Sequence, residues 1–360
     1  MILKEVIQKS LDELKEITKL AAALYTSEGE YYAGTIEKTE LSEEILFDFL
    51  NSEAEFQEMK GYYLFRMEEE ERYILAVFGN RNDAASIGKL ALSQIQNLIL
   101  VNQEKNSQDN FFKSLLEGKV SEETAVAKAD KFHLNLEEKR AVFLIELTEG
   151  KEEGVLQVLQ NIGETPEEDI LFHVEENRIV QIKKMGKDEG EKEQREAAIT
   201  MVDMVNVEAM AATARVSYGT CVNHMMELSN SYREAKIALE VGRIFYAEQK
   251  TISYRRLGIG RLLYRLPEEL CENFMKEVTG KKLGEVLDQE TLGTIYRFFD
   301  NGLNVSETAR QLYVHRNTLV YRLEKIQKQL GLDLRQFDDA VTFKIALMVD
   351  RYLKWKKNQE

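Results

Sequence analysis

The segment Asn304 to Ile326 constrains the fold of this chain more than any other, and it reads NVSETARQLYVHRNTLVYRLEKI. Ser306 is a good helix N-cap, and an acidic residue in the next turn suits the positive end of the helix dipole. Ala309 stands where two helices of a helix-turn-helix press together and only a small side chain fits. We expect Leu312 and Val314 to fill the angle between the helices.

The second helix of this segment has a fixed buried face, because apolar residues recur along it at helical spacing. These residues are Leu319, Leu323, Ile326 and Leu330. The opposite face is polar and basic, which a helix in the DNA major groove requires, with base-reading side chains near its N-terminus and cations at its margins. Asn317 suits a bidentate contact to adenine, and Arg316 or Arg322 suits guanine or phosphate.

This surface predicts a set of DNA contacts. The candidates are Ser306, His315, Arg316, Asn317, Thr318, Tyr321, Arg322 and Lys325, with Ser306 and His315 assigned to phosphate. The alternative is a solvated charged helix in an all-α packing domain. Tyr313 weakens the pattern, because the turn often holds a glycine with positive φ near that place. The net charge of -15 excludes neither reading, since only the potential of the docking face matters.

The remaining sequence divides into three segments, which predict a multidomain α+β protein. Residues 1–105 combine a helix, strands and a long exit helix, in the order of a PAS-like or GAF-like α+β sensor. Residues 106–266 alternate strands with helices and predict a ferredoxin-like α/β domain. Residues 267–360 are helical throughout, as in many DNA-binding domains.

Two features of the N-terminal segment allow two interpretations each. The helix predicted from Ala84 to about Lys105 either packs on its own domain or pairs with its copy in a dimer. Five tyrosines on the predicted strands either line a ligand pocket or pack for strand stability. They are Tyr25, Tyr31, Tyr32, Tyr62 and Tyr63.

The motif LYVHRNTLVYRLEKI, with NVSETARQ before it and GLDLRQFDDAVTFKIALMV after it, closely resembles the C-terminal helix-turn-helix of the PucR family of bacterial transcriptional regulators. That family includes purine-catabolism and sugar-diacid regulators. Its own turn has tyrosine at the position of Tyr313. The stretch Arg215 to Arg243 resembles the end of the degenerate GGDEF-like domain that precedes the helix-turn-helix in this family.

The resemblance implies a cytoplasmic regulator that binds double-stranded operator DNA and responds to a small-molecule effector. It implies no cofactor and no membrane partner, and it adds RNA polymerase as a further partner. A pair of recognition helices reading successive major grooves needs a homodimer or a higher homo-oligomer, with half-sites about 34 Å apart. Residues 1–105 are only loosely similar to the family's N-terminal sensor regions and are shorter than its sugar-diacid recognition domain, so the resemblance does not imply a sugar-diacid ligand.

Catalysis and metal binding find no support in the residues. A true GGDEF domain joins two GTP molecules with its signature turn and two metal-binding carboxylates, and no such motif occurs between Asn106 and Leu266. The two cysteines and four histidines are scattered, without metal-ligand spacing. An active nucleotide cyclase and a ligand-independent architectural DNA-binding protein remain the alternatives to a regulator.

Overall fold

The computed structural model describes most of the chain. The described residues are 3–36, 41–67, 73–79, 83–149, 154–160, 168–175, 177–208, 213–280 and 287–358. Their contacts divide the chain into two compact units, Met1–Phe112 and Lys113–Glu360. Both units contain helices, and each has its own five-stranded sheet, so the protein is a mixed α+β protein.

The first unit is built around an antiparallel sheet with the strand order β2-β1-β5-β4-β3. Its elements are α1 (Leu3–Thr18), β1 (Ala21–Thr26), β2 (Tyr31–Gly34), α2 (Glu43–Leu50), β3 (Phe56–Met59), β4 (Tyr62–Arg66), β5 (Tyr73–Phe78) and α3 (Ala84–Leu116). The predicted strands are present. Both α2 and β3 were missed: each is short, although Ser42 before α2 and the spacing of Ile45, Leu46 and Phe49 are typical of a helix.

Successive side chains of each strand point to opposite faces of this sheet, and each face has its own apolar core. Leu24, which pairs with Leu75 across β1 and β5, joins the core made with α1 and α3. Tyr25 joins the core made with α2. The five tyrosines divide in the same way, so they pack in or against two separate cores and do not share one pocket.

Helix α3 is longer than the sequence predicted. The end expected near Lys105 is wrong, because one helix continues to Leu116. It ends at Gly118, which adopts a φ of +70° and donates its N–H to the Leu115 carbonyl. By length and composition α3 is the one described helix that could cross a membrane, a test that the core helix of a soluble protein also passes.

The second unit begins with a sheet of the order β10-β9-β6-β8-β7, in which only β9 and β10 are parallel. The elements are α4 (Glu122–Lys131), β6 (Arg140–Glu149), α5 (Val155–Gln160), β7 (Ile170–Glu175), β8 (Arg178–Lys184), α6 (Glu191–Glu208), β9 (Thr213–Tyr218), α7 (Leu228–Phe245) and β10 (Thr251–Ser253). The run from β6 to β9 has the β-α-β-β-α-β order of a ferredoxin-like unit. Central strand β6 places Ile145 opposite Ile179 and Val216.

Helices complete the second unit. They are α8 (Gly260–Leu263), α9 (Glu268–Thr279), α10 (Gln289–Asp300), α11 (Val305–Gln311), α12 (Arg316–Leu330) and α13 (Phe337–Lys357). One continuous apolar core runs from Val241 of α7 and Ile252 of β10 to Phe298, Leu323 and Phe343 of these helices. The predicted division near residue 266 falls inside this unit.

Candidate nucleic-acid interface

Helix α11 begins two residues earlier than expected. Its N-cap is Asn304, whose Oδ1 accepts the N–H of Glu307 at 3.1 Å and whose carbonyl accepts the hydroxyl of Thr308 at 2.7 Å. The prediction of Ser306 as the cap is wrong, and its side chain is exposed in the first turn. The sequence carried the signal, since Asn followed three residues later by Glu is a capping pattern.

The turn between α11 and α12 is tight and strained at one residue. Tyr313 adopts a φ of +54°, the left-handed conformation that favours glycine, and its side chain is 96% exposed. The N–H of Val314 donates to the Ala309 carbonyl at 3.0 Å, which closes the turn. Ala309 is only 3% exposed, and Leu312 and Val314 pack against the core, as the sequence predicted.

His315 caps α12. Its Nδ1 accepts the backbone N–H of Asn317 at 3.3 Å, a geometry that leaves its other ring nitrogen as a donor in the neutral imidazole. Leu319, Leu323 and Ile326 are buried, which confirms the predicted inner face of the helix. The cap and the buried leucines together fix the rotation of α12 about its axis.

The opposite face of α12 is exposed. It carries Asn317, Thr318, Tyr321 and Lys325, which lie within about 100° of one another at 100° per residue. Arg316, also exposed, is the first residue of α12 and lies about 100° around the helix axis from Asn317, and no carboxylate of the described residues makes an ion pair with it. We call Arg316, Asn317, Thr318, Tyr321 and Lys325 the α12 outer stripe. It unites five of the eight predicted contacts on one surface, with His315 directly before it.

Arg322 is placed differently from the other predicted contacts. Its guanidinium donates to Glu290 Oε1 at 2.8 Å and to the hydroxyl of buried Thr294 at 3.4 Å, both on α10. About a third of its side chain is exposed. Arg322 therefore connects α12 to α10 in this structure, and a DNA contact by this residue stays a prediction.

Arg310 on α11 is a second arginine, and it is close in the sequence to the α12 outer stripe. Arg310 makes two hydrogen bonds to Glu307, with Nε–Oε2 at 3.0 Å and an Nη–Oε1 distance of 2.6 Å. These hydrogen bonds lower the pKa of the Glu307 carboxyl and raise that of Arg310.

Comparisons with known proteins agree with this geometry. The family described as the PucR C-terminal helix-turn-helix domain matches residues 291–349, which include α11, the turn and α12. The GGDEF-like domain family matches residues 117–241, from the end of α3 into α7. Two segments of this chain therefore resemble domains of PucR-type regulators.

Curated relatives match different shares of this chain. The purine catabolism regulatory protein of Bacillus subtilis (strain 168) is 29% identical over 44% of this chain and 30% of its own length. The carbohydrate diacid regulator of Escherichia coli (strain K12) is 25% identical over 73% of this chain and 70% of its own. The DNA-binding transcriptional activator AdeR of B. subtilis is 25% identical over 72% and 63%. The matches therefore span from less than a third to about two thirds of these relatives.

Proposed function

We propose that this protein is a PucR-type regulator that controls transcription by sequence-specific binding to double-stranded DNA, with α12 as its recognition helix. The observation that carries this proposal is the α12 outer stripe, a set of exposed polar and basic side chains opposite a fully buried apolar face. A helix held in this way presents its N-terminal residues to base edges. The names of the relatives, two regulators and a DNA-binding transcriptional activator, support the same class of function.

We assign separate roles to the residues of the interface. Asn317 reads an adenine edge, and Thr318 and Tyr321 contact neighbouring bases or sugars in the groove. Arg316 and Lys325 neutralise phosphates on either side of the groove. His315 donates its second ring N–H to a phosphate, and Ser306 donates its hydroxyl to another. Arg322 joins these contacts only if DNA displaces Glu290 from its guanidinium.

The first unit is proposed as the sensor of a small-molecule signal, of PAS-like or GAF-like type. Its antiparallel sheet, with helices on both faces, supports that interpretation. Helix α3 supports a homodimer, because Leu90 and Val101 are exposed and lie three turns apart on one side of it. Two copies of α12 that read successive major grooves would need a dimer, with half-sites about 34 Å apart. A regulator of this kind acts in the cytoplasm and works with RNA polymerase.

We infer that the GGDEF-like domain does not join nucleotides. Its sequence lacks the signature turn. Among the described residues, no three histidine, cysteine or acidic side chains form a group that could hold a metal ion. The buried carboxylate of Glu146, in the central strand β6, makes ion pairs with Arg178 and Arg243.

Selection of bound sequences from a random DNA pool, followed by anisotropy titrations in increasing salt, tests the proposal. We expect one enriched motif and saturable binding that weakens as salt rises. Arg316→Ala should reduce the slope of the logarithm of DNA affinity against the logarithm of salt concentration by about one for each recognition helix. The matched control is Arg265→Ala, an exposed arginine outside α12, which should leave the slope unchanged. Failure of the folded protein to enrich any motif would refute DNA recognition by this chain alone.

A further inference from the structure

A second polar site lies away from α12, in the GGDEF-like part of the second unit. A cavity of about 700 Å³ opens between α6, the end of β9 and β10. Its volume falls in the range of small-molecule sites, roughly 300 to 1,000 Å³. Helix α6 contributes Arg195, Ile199 and Asp203, which are spaced four residues apart and so share one face of the helix. The assigned roles of the PucR-type regulator use none of these residues.

The cavity is cationic although the whole chain is acidic. Three basic side chains line it, Arg195, Lys250 and Arg256, against the single carboxylate of Asp203. Within the described residues, Arg195 and Lys250 make no ion pair, whereas Arg256 Nε lies 3.4 Å from Glu191 Oε1. Two cations are therefore available to an anion that enters the cavity.

The inner surface of the cavity offers hydrogen-bond donors. The Ser253 hydroxyl is buried and lies against the Tyr218 phenol, a contact that falls short of a well-formed hydrogen bond. The nearby phenol of Tyr218 is also buried, and burial raises its pKa to about 12, so that it keeps its proton at neutral pH. Buried hydroxyls that lack a protein partner are costly unless water or a ligand satisfies them.

We propose that this cavity binds a small organic oxyanion, a carboxylate or a phosphate ester. The charged group lies between Arg195 and Lys250, and one of its oxygens accepts a hydrogen bond from Ser253. The apolar part of the ligand rests against Ile252 and Leu257. A purely apolar ligand would leave both cations and the hydroxyl unsatisfied, and a cation would meet two like charges.

The walls of the cavity belong to the core that supports the DNA-binding helices. Ile252 and Leu257 are members of the same apolar cluster as Leu319 and Leu323 of α12. The Tyr246 hydroxyl, which also lines the cavity, donates to the Leu257 carbonyl at 3.0 Å. A ligand in the cavity would therefore contact side chains of the apolar core that packs beneath α12. This regulatory consequence, unlike the ligand site itself, rests on the proposed function.

Ligand-observed NMR and calorimetry on the full chain test the site with three probes: benzoate, phenyl phosphate and the uncharged isostere benzamide. We expect one of the two anions to bind with a dissociation constant of millimolar order or tighter, and benzamide at least tenfold more weakly, about the worth of one charge-assisted hydrogen bond. The stronger of the two anions identifies the carboxylate or the phosphate class. No binding by either anion, or equal binding by benzamide, would overturn the proposal.

Variants localise the binding. Arg195→Ala/Lys250→Ala should weaken anion binding by about tenfold or more, and Ser253→Ala by about fivefold. Ser253→Ala should change the melting temperature little, because the hydroxyl that it removes makes only a weak contact with the Tyr218 phenol. The matched control is Arg255→Ala/Arg265→Ala, which removes the same charge from exposed positions outside the cavity. An equal loss of binding in this control would show that the cavity is not the site.

The regulatory consequence has its own measurement. DNA affinity is titrated with and without the tighter anion, in the wild type and in the Arg195→Ala/Lys250→Ala variant. A shift of severalfold that is absent in the variant supports coupling, and an unchanged affinity refutes it. If the chain binds no DNA under either condition, the proposed function fails together with the coupling, while the NMR result still decides the ligand site.

Discussion

The Glu146 carboxylate should be worth more to stability than any exposed acidic residue of the GGDEF-like domain. Glu146 lies in β6 and is 4% exposed. Its oxygens accept hydrogen bonds from Arg178 Nε on β8 at 3.2 Å and from Arg243 Nε on α7 at 3.1 Å, with a further contact from an Arg243 terminal nitrogen. This one side chain therefore joins the central strand to a neighbouring strand and to the helix that continues into the DNA-binding core.

Removal of one partner from a buried ion pair typically costs 3–5 kcal/mol, as an order of magnitude. Both arginines retain some solvent and contact Glu240, so we expect the lower end for Glu146→Ala, about 3 kcal/mol. For a unit of this size, that corresponds to a fall in melting temperature of roughly 6–12 °C. Glu146→Gln, which keeps the shape but removes the charge, should give a smaller fall.

Scanning calorimetry on the full chain measures these shifts. The matched control is Glu175→Ala, which removes an exposed carboxylate from the same guanidinium, at 2.7 Å from an Arg178 terminal nitrogen. We expect that variant to change stability by no more than about 0.5 kcal/mol, as for other surface pairs. Equal shifts for Glu146→Ala and Glu175→Ala would refute the argument from burial.

Four further substitutions test the interface. Ala309→Leu should overpack the α11–α12 contact and cost about 1–3 kcal/mol in urea unfolding, and an unchanged midpoint would contradict the close packing. Tyr313→Gly should raise the unfolding free energy by about 1 kcal/mol, because glycine tolerates the left-handed φ, and a loss of stability would show that the tyrosine contributes contacts. Arg322→Ala should lower stability by up to about 1 kcal/mol without changing the salt slope of DNA binding, whereas a slope reduced by one would assign it to a phosphate. Asn317→Ala should cost about 1–3 kcal/mol on the selected DNA and little on random DNA, and equal losses would make it a backbone contact.

Local patterns predicted the buried and exposed faces of α12 because they act within a few residues. The spacing of Leu319, Leu323 and Ile326 alone determines which side of α12 is buried, and the exposed stripe follows from it. The left-handed Tyr313 lies at the turn position where glycine is common. Ser306 and Asn304 are both favourable N-cap residues, and in the structure Asn304 is the N-cap of α11.

Contacts between distant segments could not be inferred from the sequence. Arg322 and Glu290 are separated by more than 30 residues, so their ion pair depends on how α10 packs against α12. The cavity beside α6 likewise needs β9, β10 and α6 to be placed together before its basic side chains converge. The extension of α3 to Leu116 was within reach, because no glycine or proline interrupts the chain between Gly88 and Gly118.

Chemical footprinting on the selected DNA tests the central claim most directly. Dimethyl sulfate methylates guanine N7 in the major groove and adenine N3 in the minor groove, so protection reports which groove α12 occupies. We expect protection of guanine N7 in two clusters about one helical turn, or 34 Å, apart, lost in Arg316→Ala/Asn317→Ala. Protection confined to adenine N3, or a footprint unchanged in that variant, would contradict recognition by the α12 outer stripe.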